Sequence, residues 1–414
     1  MLTCLYQINE GVMSLLLAAW AMNHALQRGA GKPATGDGEK ITRGALVKIT
    51  RVETMTVVVP LHEGSWHSPE FDNEGYVYGG SFVRLHWPEY PIVLMRVHTD
   101  EGLVGLGEIP KGVSATAVEQ YAHFFVGREL SSFNMQELPL ETMWFANSSV
   151  YEGYEMALYD LLGKSLGLPV YQLFGGKYRD WVAASRCSGR MNPEHAAQTA
   201  KEAVAQGYSV LKMKATYDDP VIERLQAIDD AVGDKLHILI DPNQRFKRPA
   251  RLFEVVDQLK CAGLNNVQCF ESPFDHGNLD WYVLARQKMN TPVALHLDDP
   301  RAVIEAVKRE AADWLNLGGP MTTFYKLAAV AEYAGIPAWH GSGVGLGISE
   351  AAYTHISAAC NAVTLTSDIC GETLRVDDLI VGPMEIKDGF VRVPEKPGLG
   401  VELDENALDR YRVA

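Results

Sequence analysis

The amino-acid sequence predicts an α/β fold, a (β/α)8 (TIM-type) barrel with an N-terminal α+β capping domain that the C-terminal segment completes. The 414 residues exceed what one small core usually holds. β-Rich runs precede a helical stretch in the first part of the chain, and from about Val182 short apolar strands alternate with amphipathic helices. We therefore divide the chain into an extension (1–46), a capping domain (47–180), a barrel (181–384) and a C-terminal segment (385–414).

The capping domain is predicted to begin with an antiparallel sheet. One β-rich run starts at Ile49, and a later one contains a turn at residues 100–102 that joins two strands. Helical periodicity follows over residues 115–168, where Gly167 and Pro169 supply the stop.

Eight short apolar strands are predicted in the barrel, each followed by a helix or turn of suitable length. They are VAASRCSG, SVLKMKA, HILIDPN, VQCFESP, PVALHLD, DWLNLGG, IPAWHGS and VTLTSD. In this fold the chemistry gathers at the carboxyl ends of the strands. The later run MEIKDGFVRVP predicts a hairpin around Asp388 and Gly389, so we expect the chain to return to the first domain.

Residues 1–46 differ from the rest of the chain. The apolar run 12–22 is too short to span a bilayer, and it lacks the basic region and cleavage site of a signal peptide. Residues 28–44 are rich in glycine and charge, which is typical of a linker. We expect an extension outside the fold, dispensable for solubility, metal binding and activity; a signal anchor is the alternative.

The composition limits the partners. A formal net charge of −15 without clustered Lys and Arg argues against nucleic acid. An acidic surface repels anions at long range, so an acid substrate needs a local cation or metal. Six cysteines without CxxC pairs suit free thiols in the reducing cytoplasm. We expect a cytoplasmic homo-oligomer that binds a small molecule and does not associate with membranes.

Two lysines, Lys212 and Lys214, end the second predicted strand. Alternation along a strand directs both to the same side, into the mouth of the barrel. Adjacent ammonium groups lower each other's pKa, so one could act as a base while the other stays cationic against a substrate carboxylate. The alternative interpretation is a pair of solvated lysines.

Two acids follow buried strands: Asp241 ends the third and Glu271 the fourth. Acids that converge at one mouth repel each other unless a cation lies between them, and hard oxygen ligands suit Mg2+ or Mn2+. Separate capping or loop acids are the alternative. Asn243, two residues after Asp241, is a candidate for substrate binding.

The sixth strand begins at Asp313, and the seventh ends in His340 beside glycines. A histidine whose second ring nitrogen meets a carboxylate is oriented and made more basic, as a general acid/base requires. We therefore interpret His340 as functional, although a lone histidine is more often structural.

The motifs KMK, DPN, FESP, DWLNLGG and AWHGSG, in this order on successive strands, resemble those of the mandelate racemase/muconate lactonizing enzyme group of the enolase superfamily. YEMALYDLLGKSLGLPVYQLFGG resembles the junction of cap and barrel in that group, and PGLGVELDE resembles its tail. The resemblance runs from about residue 48 to the C-terminus. It implies an α+β cap whose loops close over the barrel, Mg2+ held by strand-end acids, and a substrate carboxylate on that metal.

The resemblance also implies roles for individual residues. Lys214 would be the base on one face of the substrate, and Lys212 its carboxylate-polarising neighbour. Asp241 and Glu271 would be metal ligands.

On the other face, the resemblance implies an acid/base dyad of Asp313 and His340. The fifth strand departs from the family, which places an Asp or Glu ligand there, whereas this chain has His296 and Leu297 at the matching positions. Alternation puts His296 and Asp298 on one side of the strand, so either could reach the metal. An imidazole ligand would suit a divalent metal other than Mg2+.

Other candidate substrate contacts come from the eighth strand and the cap. Related racemases and dehydratases often carry a Glu on the eighth strand, where this chain offers Asp368. The cap loop 61–87 is rich in His, Trp, Tyr and Gly, so His62, His67 or Arg84 could meet the distal end of a polar substrate. An ordinary surface loop is the alternative.

The expected reaction is metal-dependent removal of the proton next to a carboxylate, through a stabilised enediolate. By analogy with this group we rank dehydration of a sugar acid or related hydroxy acid first, which would make the protein a lyase. A racemase, epimerase or cycloisomerase, and hence an isomerase, is the alternative. A Schiff-base aldolase using Lys212 or Lys214, and a catalytically inactive barrel, are further alternatives.

Overall fold

The structure is a computed structural model that describes residues 47–68, 71, 76–78, 81–83, 91–109, 113–140, 148–341 and 344–413. The predictions for the 1–46 extension and for Arg84 lie outside these residues. Within the described ranges, none of the helices is both long and apolar enough to cross a membrane.

The cap pairs a small antiparallel sheet with helices. Its elements are β1 (Ile49–Val58), β2 (Tyr76–Tyr78), β3 (Ser81–Val83), β4 (Pro91–Thr99), β5 (Val104–Ile109), α1 (Ala115–Glu119), α2 (Ser148–Leu166) and α3 (Val170–Leu173), with 3-10 turns at Ala122–Phe124 and Leu130–Ser132. β1, β4 and β5 form one sheet, with β4 in the centre and antiparallel to both neighbours. The predicted turn at residues 100–102 is confirmed, because β4 and β5 meet there.

The barrel sheet is parallel. Its strands are β7 (Arg186–Ser188), β8 (Val210–Lys214), β9 (His237–Asp241), β10 (Val267–Glu271), β11 (Val293–Leu297), β12 (Trp314–Leu317) and β13 (Ala338–His340), which pair in that order. The helices between and after them are α4 (Pro193–Ala205), α5 (Val221–Val232), α6 (Pro249–Ala262), α7 (Leu279–Lys288), α8 (Pro300–Lys308), α9 (Met321–Ala334) and α10 (Gly347–Ala359), with a 3-10 turn at Gly233–Lys235. This alternation of strand and helix confirms the predicted fold class.

The eighth predicted strand joins the two edges of this sheet through single bridges. Val363 pairs with Ala338 of β13, and Ser367 pairs with Ala184 next to β7. A full helix does not follow: between residues 364 and 413, all of which are described, the next helix is the four-residue α11 (Gly371–Leu374). The ring of helices around the barrel therefore lacks its eighth member.

The C-terminal segment forms the predicted hairpin and then runs to the cap. β14 (Ile386–Lys387) and β15 (Phe390–Arg392) are antiparallel, and β15 pairs with β6 (Trp181–Ala183), at the entrance to the barrel. After α12 (Glu405–Tyr411), Arg412 bridges to Val57 of β1.

Side-chain alternation divides each barrel strand between an inner and an outer core. Val210, Leu239, Cys269, Ala294 and Trp339 pack together inside the barrel. The intervening residues, such as Leu211 and Ile240, belong to the larger core between the sheet and the helices. The next inward-facing residue of each strand lies near the carboxyl end of that strand.

Buried carboxylates of the cap hold the first turns of two barrel helices. Glu108 of β5 accepts hydrogen bonds from the backbone N–H groups of Leu346 (2.7 Å) and Ser349 (3.1 Å) at the start of α10. Glu155 of α2 accepts one from the N–H of Thr322 (3.0 Å) at the start of α9. The first N–H groups of a helix have no partner within the helix, and a carboxylate suits their partial positive charge. These bonds hold the cap over the carboxyl ends of the strands.

We expect Glu108→Gln to lower the free energy of unfolding by about 1–3 kcal/mol, because the amide NH2 would face the Ser349 N–H and leave buried donors unpaired. Urea unfolding should show the loss. Asp257→Asn, at an exposed position on α6, is the matched control and should cost almost nothing. Equal stability of the two variants would contradict this role for Glu108.

Candidate active site

A layer of polar side chains lies at the carboxyl end of the barrel, directly above the inner apolar layer. Parallel pairing places Lys214 opposite Asp241 and His296 opposite Asn316. Alternation directs inward, at the carboxyl end of the barrel, the side chains of Lys212, Lys214, Asp241, Glu271, His296 and Asn316. Several of these side chains are buried, so their charges must be satisfied locally.

Lys212 is surrounded by three carboxylates. Its Nζ lies 2.6 Å from Asp368 Oδ2, 2.7 Å from Glu271 Oε2 and 3.6 Å from Asp241 Oδ2. Burial opposes the charged form of Lys212, but the three acids outweigh it and hold the pKa of the lysine well above its usual range. The structure thus makes Lys212 a fixed cation.

Lys214 occupies the outer edge of the same layer. Its Nζ donates to Asp241 Oδ2, and its side chain is 17% exposed where that of Lys212 is 4% exposed. Asp241 also accepts from the backbone N–H (2.9 Å) and the side-chain amide (3.2 Å) of Asn243. Of the two lysines, Lys214 is therefore the more accessible from the barrel mouth.

Glu271 lies between the lysines and the fifth and sixth strands. Its Oε1 accepts from the Asn316 amide (2.8 Å) and is 3.5 Å from His296 Nδ1. Burial opposes ionisation, but Lys212 and the His296 hydrogen bond hold the Glu271 pKa below its usual range. A Cβ at Gly341 would lie 2.9 Å from His296 Nε2, so the absence of a side chain on the seventh strand makes room for the imidazole.

Strained backbone marks the ends of the third and fourth strands. Asn243 (φ 45°), Gln244 (φ 67°) and Ser272 (φ 46°) are non-glycine residues in the left-handed region. Ser272 Oγ accepts from the His296 N–H (3.1 Å) and lies 2.8 Å from His276 Nε2. Such strain is characteristic of functional sites, because only a firmly held environment maintains it.

Asp313 is not part of this layer, which corrects the predicted dyad. It precedes β12, at the amino end of the strand, where its Oδ1 accepts from Arg286 Nε (2.7 Å) and its Oδ2 from the Val293 N–H (2.9 Å). The inward residue at the other end of β12 is Asn316. Asn316 was not predicted from the sequence, although alternation along DWLNLGG marks it as an inward position.

His340 is likewise turned away from the barrel interior. Its ring packs 4.4 Å from that of Phe324 and 4.1 Å from that of Tyr353, both in the helix layer. Nδ1 donates to the Gly341 carbonyl (2.6 Å), and burial lowers the pKa of His340 to about 3. Trp339, one residue earlier, faces inward instead. The structure therefore does not form a dyad of Asp313 and His340.

The other residues predicted for the site lie in different environments. Asp298 lies beyond the end of β11 and is exposed, so the structure places His296 and not Asp298 beside Glu271. His67 is buried, accepts from the Arg190 N–H (2.7 Å) at Nδ1, and has its pKa lowered to about 3, mainly by burial. His62 is exposed and lines a separate cavity.

The donors fit a divalent cation by their chemistry. Asp241, Glu271 and His296 provide two carboxylates and an imidazole at the carboxyl ends of three adjacent strands, a set that suits a metal tolerant of nitrogen. In the described ranges, however, no three such side chains stand as a preformed cation cluster. The ammonium groups of Lys212 and Lys214 lie against the same carboxylates.

Comparisons with known proteins identify the families of both parts of the chain. Residues 195–407 match the family model described as enolase C-terminal domain-like, and residues 86–175 match that of the mandelate racemase/muconate lactonizing enzyme N-terminal domain.

Individual relatives carry different activities. The chain is 27% identical to N-succinyl-L-Arg/Lys racemase from Bacillus cereus over 79% of this chain and 92% of the relative. It is 30% identical to chloromuconate cycloisomerase from Cupriavidus pinatubonensis (80% and 93%) and to D-gluconate dehydratase from Thermoproteus tenax (79% and 70%).

A crystal structure of the Bacillus cereus racemase superposes with a TM-score of 0.74 over 89% of this chain and 98% of that chain, at 24% identity, which shows the shared fold. The family-model matches and the relatives lead to one assignment. The chain belongs to the mandelate racemase/muconate lactonizing enzyme subgroup of the enolase superfamily.

Proposed function

We propose that the protein removes the proton next to the carboxylate of a small hydroxy acid and expels the β-hydroxyl as water, with Lys214 as its one base. The observation that supports this reaction is the one-sidedness of the polar layer. Both lysines come from β8, whereas the facing strands β12 and β13 present Asn316 and Gly341. Among the described residues, these two strands offer no general base to the opposite face of a substrate.

The charges suit an enediolate. A proton beside a carboxylate is too weakly acidic for a side-chain base unless the developing negative charge is stabilised. Lys212 stays cationic because three carboxylates surround it, so it can bind that charge. A divalent cation, Mg2+ or Mn2+, would be held by Asp241, Glu271 and His296 and would supply Lewis acidity.

Elimination needs only one face. Lys214 Nζ takes the proton as the Cα–H bond breaks. The electrons form a Cα–Cβ double bond, and the Cβ–O bond breaks as the Lys214 ammonium returns the proton to the leaving hydroxyl. The enol product becomes a 2-oxo acid. Racemisation by two bases would require an acid/base group opposite Lys214. His340 was the predicted group, but its ring packs in the helix layer. The similarity to D-gluconate dehydratase supports a sugar-acid substrate.

We expect the protein in D2O to exchange the α-proton of a sugar acid, with D-gluconate tried first, and to convert this acid to the 2-oxo acid. Lys214→Ala should lower both rates by about 10²–10⁴, because it removes the general base. Asp313→Asn, at the far end of the barrel, should leave them unchanged. NMR of the α-position measures exchange, and ultraviolet detection of the 2-oxo acid measures product.

Three outcomes would contradict this mechanism. Interconversion of C2 epimers without dehydration would indicate a racemase. Persistence of exchange in Lys214→Ala would remove Lys214 as the base. Covalent trapping of substrate by borohydride would indicate Schiff-base chemistry.

We also expect Mn2+ to bind one site per chain, with Asp241→Asn, Glu271→Gln and His296→Ala each weakening affinity by at least about tenfold, as the loss of a direct ligand should exceed the usual effect of losing an outer partner. Asp298→Asn is the matched control and should bind normally. Calorimetry or electron paramagnetic resonance measures binding without turnover. A loss in Asp298→Asn with normal binding in His296→Ala would assign the third ligand to Asp298.

A further inference from the structure

A cavity of about 590 Å3 lies on the outer side of β7, next to the place left by the missing eighth helix. Its walls are the segment His62–Ser65, one face of α4, and residues Glu372 and Thr373. None of the polar-layer residues around Lys212 lines it. The face of α4 that borders it carries His195, Gln198 and Glu202, so the cavity suits a polar ligand better than an apolar segment of protein.

Arg186 is the buried cation of this cavity. It pairs with Leu211 in the sheet, so it faces the outer layer while Cys187 faces inward opposite Lys212. Arg186 is only 4% exposed. Its Nη1 donates to the Cys187 carbonyl (2.9 Å) and to Thr373 Oγ1 (3.3 Å), but its Nε is buried without a hydrogen-bond partner in the described structure. An unpaired donor on a buried charge is costly, which suggests that a ligand completes it.

Glu372 gives the cavity a hydrogen-bond acceptor, in contrast to the donors of Arg186. It adjoins Thr373, the hydroxyl partner of Arg186, and its Oε2 is buried without a hydrogen-bond partner among the described residues. Burial raises the pKa of Glu372. Arg186 and Glu372, each with a buried polar atom that lacks a partner among the described residues, therefore line the same cavity.

We propose that this cavity is a second binding site, for a small carboxylate that carries a hydroxyl or ammonium group near the acid. The ligand carboxylate would accept from Arg186, whose planar guanidinium suits it. The ligand hydroxyl or ammonium would donate to Glu372. The volume lies within the roughly 300–1,000 Å3 typical of small-molecule pockets.

The site also adjoins the cap segment that reaches the barrel mouth. Ser65 forms part of the cavity wall and donates to the Leu374 carbonyl (3.0 Å), and His67 follows two residues later. An occupied cavity would therefore brace the segment that carries His67.

The test is calorimetric titration of the full chain, kept metal-free with EDTA so that carboxylates do not bind through a metal in the barrel. The probes are D-gluconate as hydroxy acid, L-glutamate as amino acid, and propionate and inorganic phosphate as anions without the donor. We expect D-gluconate or L-glutamate to bind at one site per chain. Tighter binding of D-gluconate would indicate recognition of a hydroxyl, and tighter binding of L-glutamate recognition of an ammonium group. Propionate and phosphate should bind at least about tenfold more weakly, as expected for loss of a hydrogen bond to a charged group.

Arg186→Gln and Glu372→Gln should each reduce this affinity at least about tenfold, whereas Lys214→Ala in the barrel should leave it unchanged. Circular dichroism and thermal melting check that each variant folds; if the buried Arg186→Gln does not, Glu372→Gln decides alone. Absence of binding by both acids, equal binding of propionate or phosphate, or binding lost in Lys214→Ala but kept in Glu372→Gln would overturn the proposal.

Discussion

The burial of three carboxylates around one lysine is the constraint on which the active end of the barrel depends. Asp241, Glu271 and Asp368 are each at most 5% exposed, and such charges survive burial only when opposite charges and hydrogen bonds compensate them. Lys212 contacts all three, and Lys214 adds a second cation at Asp241. Burial raises the pKa of Asp368 despite the neighbouring Lys212, so the cluster favours further positive charge, which a divalent cation would supply.

A related principle holds the two domains in place. Glu108 and Glu155 are buried acids of the cap, and their partners are helix N-termini of the barrel. These N-termini lie at the same end of the barrel as the carboxyl ends of the strands. Bonds that complete the helices therefore also position the cap over the polar layer, so stability and site geometry depend on the same contacts.

The sequence allowed the fold class and much of the polar layer to be predicted. Asp241 and Glu271 were identifiable because apolar strand residues run directly into them, and Lys212 because it alternates with Lys214 at the end of a strand. The errors at Asp313 and His340 have a physical reason: a motif indicates that a residue is near a strand, but not at which end it lies or which side it faces. Asp313 lies at the amino end of β12. His340 follows the inward-facing Trp339, so its side chain points outward.

Other features required the packed structure. The sequence after Asp368 does not reveal that a long eighth helix is absent. Local composition does not show which segment covers the outer face of β7. The space that Gly341 leaves for His296 depends on two strands that are distant in the sequence. Positive φ angles at Gln244 and Ser272 are also set by neighbouring loops and not by residue type.

The placement of both ammonium groups on one strand has a stereochemical consequence. A base that approaches from one side reaches the hydrogen of only one configuration at the α-carbon, and the facing wall of Asn316 and Gly341 provides no substitute. With Lys214 as the base, only one epimer of an equimolar mixture of two epimeric acids would be consumed. The other epimer would remain as a single stereoisomer, so the barrel would perform a kinetic resolution.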